Sequence, residues 1–210
     1  MSIPVTSAHV ASPHVVNTRE WMDHGTRLFL TAVEGLSDEE FGAPTVLDGW
    51  TRSHVIAHVH FNAEALRRLV SWASTGAEQR MYAGPGQRAA EIAAGAELPP
   101  GELRAMVSRS AADLAADLDA LPEQAWHHEV VTAQGRTVPA SEIPWMRARE
   151  VAVHAVDLNA GVAFDDLPGD LNAALAADAL KKRSAGGDAA VLAAWLTGRA
   201  DEAPVLGPWL

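Results

Sequence analysis

The chain has 210 residues, 48% of them hydrophobic, no cysteine, and a formal net charge of −11. That length allows one sizeable core, or one core with a small appendage. The acidic balance excludes nucleic acid and an anionic membrane surface as partners, because both need a basic face. No apolar run reaches the roughly 18 residues of a membrane-spanning helix. Without cysteine there are no disulfides, no thiolate metal sites and no cysteine nucleophile. Any metal must be held by the nine histidines and the carboxylates, and any thiol must come from outside the chain.

Residues 1–16 contain Pro4, Pro13 and two histidines, with no basic stretch leading into a long apolar one. They read as a flexible leader of a cytoplasmic protein rather than a signal peptide. A first helix is predicted from Thr18, its cap, to Leu36, with Trp21, Leu28, Phe29, Ala32, Val33 and Leu36 in its stripe. His24 lies on it, either facing a site or as an ordinary polar residue. The turn signal Asp48-Gly49 precedes a second helix, capped by Thr51, running to about Thr75 and ended by Gly76. His54 and His58 stand four apart on it and share a face, with His60 pointing elsewhere into solvent. Residues 80–100 read as an irregular loop, broken by Gly84-Pro85-Gly86 and Pro99-Pro100-Gly101 and long enough to form a lid.

A third helix is expected over residues 101–121, its Asp113, Asp117 and Asp119 forming a solvated face. Residues 129–138 change to β-branched alternation around Gln134-Gly135, a hairpin signal. The last bundle helix follows from Ser141-Glu142, with Pro144 in its first turn and Gly161 as its stop. Four long helices with one crossover insertion suggest a mainly α four-helix bundle, in which short loops would make sequential helices antiparallel neighbours. It spans residues 17–164. Residues 165–210 form a reduced helical C-terminal region of two Ala-rich helices and a tail.

Glu150 and His154 stand one turn apart on the last bundle helix, among Val151, Val153, Ala155 and Val156. A buried carboxylate and imidazole need partners. One reading is a salt bridge inside the bundle. The other is a metal site shared with the histidine-bearing second helix, since a carboxylate and imidazoles on facing helices can hold one divalent ion.

These motifs resemble the mycothiol-dependent maleylpyruvate isomerase family, with its DinB-like metal-binding bundle. The resemblance rests on Leu47-Asp-Gly-Trp-Thr-Arg-Ser-His-Val-Ile-Ala-His58 with Asn62, on Met81-Tyr82, on Thr132-Ala-Gln-Gly-Arg-Thr-Val-Pro-Ala-Ser-Glu142 and on Trp145-Met-Arg-Ala-Arg-Glu-Val-Ala-Val-His-Ala-Val-Asp-Leu158. It implies a divalent metal held by His58, Glu150 and His154, with His54 as a supporting partner and not a ligand. Zinc is preferred, with iron, manganese and nickel as alternatives. It implies mycothiol as the thiol cofactor and an anionic small-molecule substrate, in the gentisate branch of aromatic degradation. The implied reaction adds the mycothiol sulfur to the double bond of maleylpyruvate, lets that bond rotate, and expels the thiol to leave fumarylpyruvate. Family members carry a mixed α/β C-terminal domain, here reduced to two helices. Gly198-Arg199 resembles the segment bearing the family's essential arginine, so Arg199 is the candidate catalytic residue, its rival reading being an exposed tail arginine. Arg80, Arg88 and Arg147 are weaker candidates for binding the anion. The other readings are a mycothiol S-transferase and a non-catalytic metal- or thiol-binding bundle. A monomer or small homo-oligomer is expected.

Overall fold

The computed structural model describes residues 13–206, so the leader expected over residues 1–16 lies mostly outside the described residues. The described chain falls into two compact units, the first ending at Ala163 and the second starting at Phe164. Among the described residues no helix is long and apolar enough to cross a membrane.

The first unit is built from α1 (Pro13–Glu34), α2 (Arg52–Thr75), α3 (Gln87–Ala96), α4 (Pro100–Asp119) and α5 (Ile143–Asp157). A two-stranded antiparallel hairpin, β1 (Glu129–Val131) and β2 (Thr137–Pro139), precedes α5. The caps follow the local chemistry. Thr51 sits extended at the N-cap of α2, and Gly76 closes that helix at φ 75. Gly135 turns the hairpin at φ 77. Pro144 stands in the first turn of α5, where its missing N–H costs nothing.

Several boundaries move. α1 begins at Pro13, so Thr18 is a buried residue inside the helix and not its cap. α5 ends at Asp157, with Asn159 at φ 51 before Gly161 is reached. The expected loop over residues 80–100 holds a helix, α3, whose Ile92 and Gly95 are buried. A Cβ on Gly95 would lie 2.8 Å from Ala57 Cβ and 2.9 Å from the Phe61 ring, so α3 sits directly on α2. The aspartates of α4 are not simply solvated. Asp113 and Asp117 bind Arg67 at 3.2 and 2.6 Å, and Asp119 binds Arg19 at 2.7 Å.

The expected neighbours are also rearranged. α1 packs on α5 and α4, and α2 packs on α5 and α4. α1 and α2 therefore stand diagonally across the bundle, as do α4 and α5. The connections over residues 35–51 and 120–142 are long enough to cross the bundle end, so the short-loop rule for adjacent antiparallel helices does not apply. α1 meets α5 at Gly25, where a Cβ would come 2.8 Å from Val151 Cγ2 and 3.2 Å from the Ala152 nitrogen. Overpacking there gives a prediction: Gly25→Ala destabilises by about 1–3 kcal/mol. Pairing it with Val151→Ala recovers part of the loss in a denaturant midpoint, because one of the two obstructing groups is gone.

Two apolar clusters fill the bundle. One joins Met22, Leu66, Leu69, Leu114, Val130 and Ile143, and the other joins Phe29, Val33, Ile56, Leu103, Val151 and Leu158. α2 gives residues 55–59 to the second cluster and 63–73 to the first, and α5 gives 151–155 and 143–148 in the same way. The polar residues Asn62 and Glu150 fall between those stretches, with His58 and Arg147 just inside them.

The second unit holds α6 (Gly169–Arg183) and α7 (Ala189–Leu196), separated by a kink in which Gly187 takes φ 113. Leu167, Leu171, Leu175 and Leu192 are its buried side chains. The last turn of α6 carries Lys181, Lys182 and Arg183, which suits the negative end of a helix dipole.

Candidate metal centre

α2 and α5 bring His58, Glu150 and His154 together. His58 Nε2 lies 2.9 Å from Glu150 Oε2, and His154 Nε2 lies 3.3 Å from the same oxygen. One ligand atom from each residue lies within 4.8 Å of the other two. The His58 and His154 rings meet edge to face at 4.7 Å, and Trp50 stands edge-on to His58 at 5.7 Å. His58 and His154 are buried, and the Glu150 side chain keeps 16% of its surface exposed.

The sequence reading passed over Asp157 as a partner of the site. It holds His154 Nδ1 at 2.8 Å, leaving Nε2 turned toward Glu150. A carboxylate behind an imidazole in this way fixes its tautomer and orientation for metal binding. The i, i+3 spacing from His154 was the signal available. His54 has Thr51 as its bonded partner. Its Nδ1 lies 2.8 Å from the hydroxyl and 3.3 Å from the amide, so it caps α2. His60 is not solvated but 9% exposed, edge to face with Phe61 at 4.7 Å, and burial lowers its pKa.

The weaker arginine candidates separate clearly. Arg80 pairs with Glu78 and lies over Trp72, away from the triad. Arg147 is 1% exposed and cannot meet a substrate. Its Nη1 donates to the Val59 carbonyl at 2.7 Å and to Asn62 Oδ1 at 2.8 Å, clamping α5 to α2 beside His58. Burial lowers its pKa to about 10, so it stays charged at neutral pH. Arg88 reaches the His58 ring, 3.4 Å from Nε2 and 3.5 Å from Nδ1. Arg199 lies in the second unit, exposed, donating to the Thr197 carbonyl.

Burial disfavours the charged form of His154, but its bonds to Asp157 and Glu150 outweigh that and raise its pKa to about 9. Burial pushes His58 below the usual histidine value, against the pull of Glu150. Burial alone would raise Glu150, yet its bonds to His154 and His58 hold it well below the carboxylate range. Without metal, the centre is therefore an imidazolium flanked by two carboxylates, with a neutral His58 opposite. The donor set fits a divalent cation: two imidazoles and a carboxylate converge, and the proton on His154 marks where positive charge is already favoured.

A pH dependence follows. A cation must displace the His154 proton, so metal affinity rises about tenfold per pH unit up to pH ~9. Calorimetry in buffers of different ionisation enthalpy will count one proton released at neutral pH. In the metal-free protein the raised His154 pKa stabilises the fold fully below pH 6.5 and loses this contribution as pH rises to about 9. Metal-loaded protein is expected to lack that loss, which parallel melts across this range would show.

The family profile described as the mycothiol maleylpyruvate isomerase N-terminal domain matches residues 22–159. Among solved structures, the chain is similar to the mycothiol-dependent maleylpyruvate isomerase at 46% identity and a TM-score of 0.77, covering 79% of this chain and 69% of that one. A histidine-to-alanine mutant of such an isomerase is 44% identical, with a TM-score of 0.80, covering 82% and 72%. YfiT from Bacillus subtilis, with an unusual four-helix bundle topology, is 12% identical at a TM-score of 0.59, covering 74% and 90%, and shares the fold. No curated protein matches. With the family profile spanning the whole stretch that carries the triad, the chain belongs to the mycothiol maleylpyruvate isomerase family, in its DinB-like bundle form.

Proposed function

We propose that this chain is a metal-dependent isomerase that uses mycothiol to convert maleylpyruvate, or a close analogue, to its trans isomer, fumarylpyruvate. The observation that carries this reading is the convergence of His58 Nε2 and His154 Nε2 on one Glu150 oxygen, at 2.9 and 3.3 Å, in a chain of the isomerase family. Zinc suits two imidazoles and a carboxylate, and three protein ligands leave a position open, as catalytic sites require. When bound, the cation would favour the thiolate form of a coordinated thiol and offset negative charge developing on a substrate oxygen.

The protein's own groups prepare that chemistry. Asp157 holds His154 with Nε2 inward, and the Trp50 edge covers the His58 ring. Both rings are thus oriented before a ligand arrives, which removes an ordering cost from binding. No cysteine competes with the external thiol. Arg199 is proposed as the catalytic residue that takes a substrate carboxylate, bidentate by preference. The setting proposed is the cytoplasm and the breakdown of gentisate.

The test is zinc-loaded protein with mycothiol and maleylpyruvate, followed by product NMR. Trans product formed only when metal and thiol are both present is the expected result. A stable thiol conjugate in its place makes the chain a transferase, and no thiol-dependent consumption at all leaves a binding bundle.

A further inference from the structure

We propose that Arg88 is an anion-binding and specificity-determining side chain carried by the bundle itself, taking a carboxylate of the substrate beside His58. This rests on reading the centre as a site for an anionic acid.

Arg88 lies on α3, the helix that replaces the expected loop. That helix is anchored downstream of Arg88 by buried Ile92, one turn on, and by Gly95 pressed against Ala57 and Phe61 of α2. The residue after Ala57 is His58, so the face of α3 that meets α2 also carries Arg88 to the imidazole, at 3.4 and 3.5 Å. Those lengths are too long for strong hydrogen bonds.

Arg88 is exposed and has no carboxylate partner among the described residues; its contacts are the His58 ring and Tyr82. Elsewhere in the bundle Arg19, Arg67 and Arg104 are each paired with carboxylates, and Arg147 is sealed in the core. A guanidinium without a carboxylate, held next to a ligand for a cation, is an arrangement that like charges disfavour unless an anion sits between them. The planar fork of arginine matches a carboxylate better than it matches a single sulfur atom. With a net charge of −11 the protein gives an anion no long-range attraction, so a local cation must do the selecting. Tyr82 interacts with both Arg88 and Glu150 and provides a hydroxyl at the same place.

The experiment uses the full chain loaded with zinc, as wild type, Arg88→Gln and Arg88→Lys. Three quantities are read: zinc content, calorimetric binding of maleate as an unreactive cis-dicarboxylate, and KM and kcat with maleylpyruvate and mycothiol. Expected for Arg88→Gln are unchanged zinc content, at least about tenfold weaker maleate binding and a KM raised by a similar factor, with kcat changed less. Arg88→Lys should recover part of both losses. Unchanged maleate affinity in a zinc-replete Arg88→Gln protein overturns the proposal. So does a loss of zinc that tracks the loss of binding, because Arg88 would then merely support the centre. If wild-type protein turns over no maleylpyruvate while maleate binding still depends on Arg88, the anion site stands and the assigned reaction falls.

Discussion

Glu150→Ala is expected to empty the centre. The carboxylate is the point on which both imidazoles converge, at 2.9 and 3.3 Å. Removing a residue that merely supports a metal ligand typically costs 10–100-fold in affinity, so removing a ligand should cost on the order of 100-fold or more. Turnover should fall with metal content and should not return on adding zinc at ordinary concentrations. The same substitution leaves His154 with Asp157 as its remaining carboxylate partner, so less of its raised pKa survives. Asp157→Asn gives the graded comparison: metal affinity falls by about 10–100-fold while all three ligands remain. Elemental analysis beside a turnover assay separates the two readings of the motif. A Glu150→Ala protein that keeps its metal and its activity would reduce the triad to an internal ion pair.

The largest effect on stability should come from Arg147→Ala. Arg147 is among the largest fully buried side chains and ties α5 to the Val59 carbonyl and Asn62 of α2. Its truncation leaves a cavity, strips Asn62 Oδ1 of its donor and removes a second donor from the Val59 carbonyl, costing about 3–5 kcal/mol. For a unit of this size that is a melting temperature lowered by roughly 6–20 °C. Arg147→Met separates packing from polarity. It fills most of the volume and should recover much of the stability, yet the guanidinium's bonds to Asn62 and the Val59 carbonyl are still lost. Val59 is next to His58 and Arg147 is one turn before Glu150, so the spacing of the ligands should loosen and metal affinity should drop. A melting temperature within about 2 °C of wild type for Arg147→Ala would show that the clamp carries no weight.

Much of the centre was legible because its signals are local. Two residues four apart on a helix share a face whatever surrounds them, so Glu150 and His154 could be paired from spacing alone. Spacing also placed His54 and His58 on one face, but it could not choose between them. Resemblance made that choice; in the structure His58 stands beside Glu150, while His54 Nδ1 is bonded to Thr51 at the start of α2. His60 was misread because one helix face was taken to be solvent. α2 meets α3, α4 and α5 together, so nearly its whole circumference is covered from Val55 to His60. α3 itself was hidden by the glycines and prolines that flank it. Its ten residues carry few large apolar side chains, and small ones, above all Gly95, are what let it lie close on α2.

By itself the sequence determined the mainly helical class, the hairpin, the caps of α2 and the pairing of Glu150 with His154 on one helix face. Each of these depends on periodicity, dihedral preference or the donor atoms a side chain owns, all properties of a short stretch of chain. Only the tertiary structure decided that α1 and α2 lie diagonally, that Arg147 is sealed while Arg88 reaches His58, and that Asp157 orients His154. Those outcomes depend on how the long connections route the helices and on which faces are then covered. Neither is encoded in the spacing of any one segment.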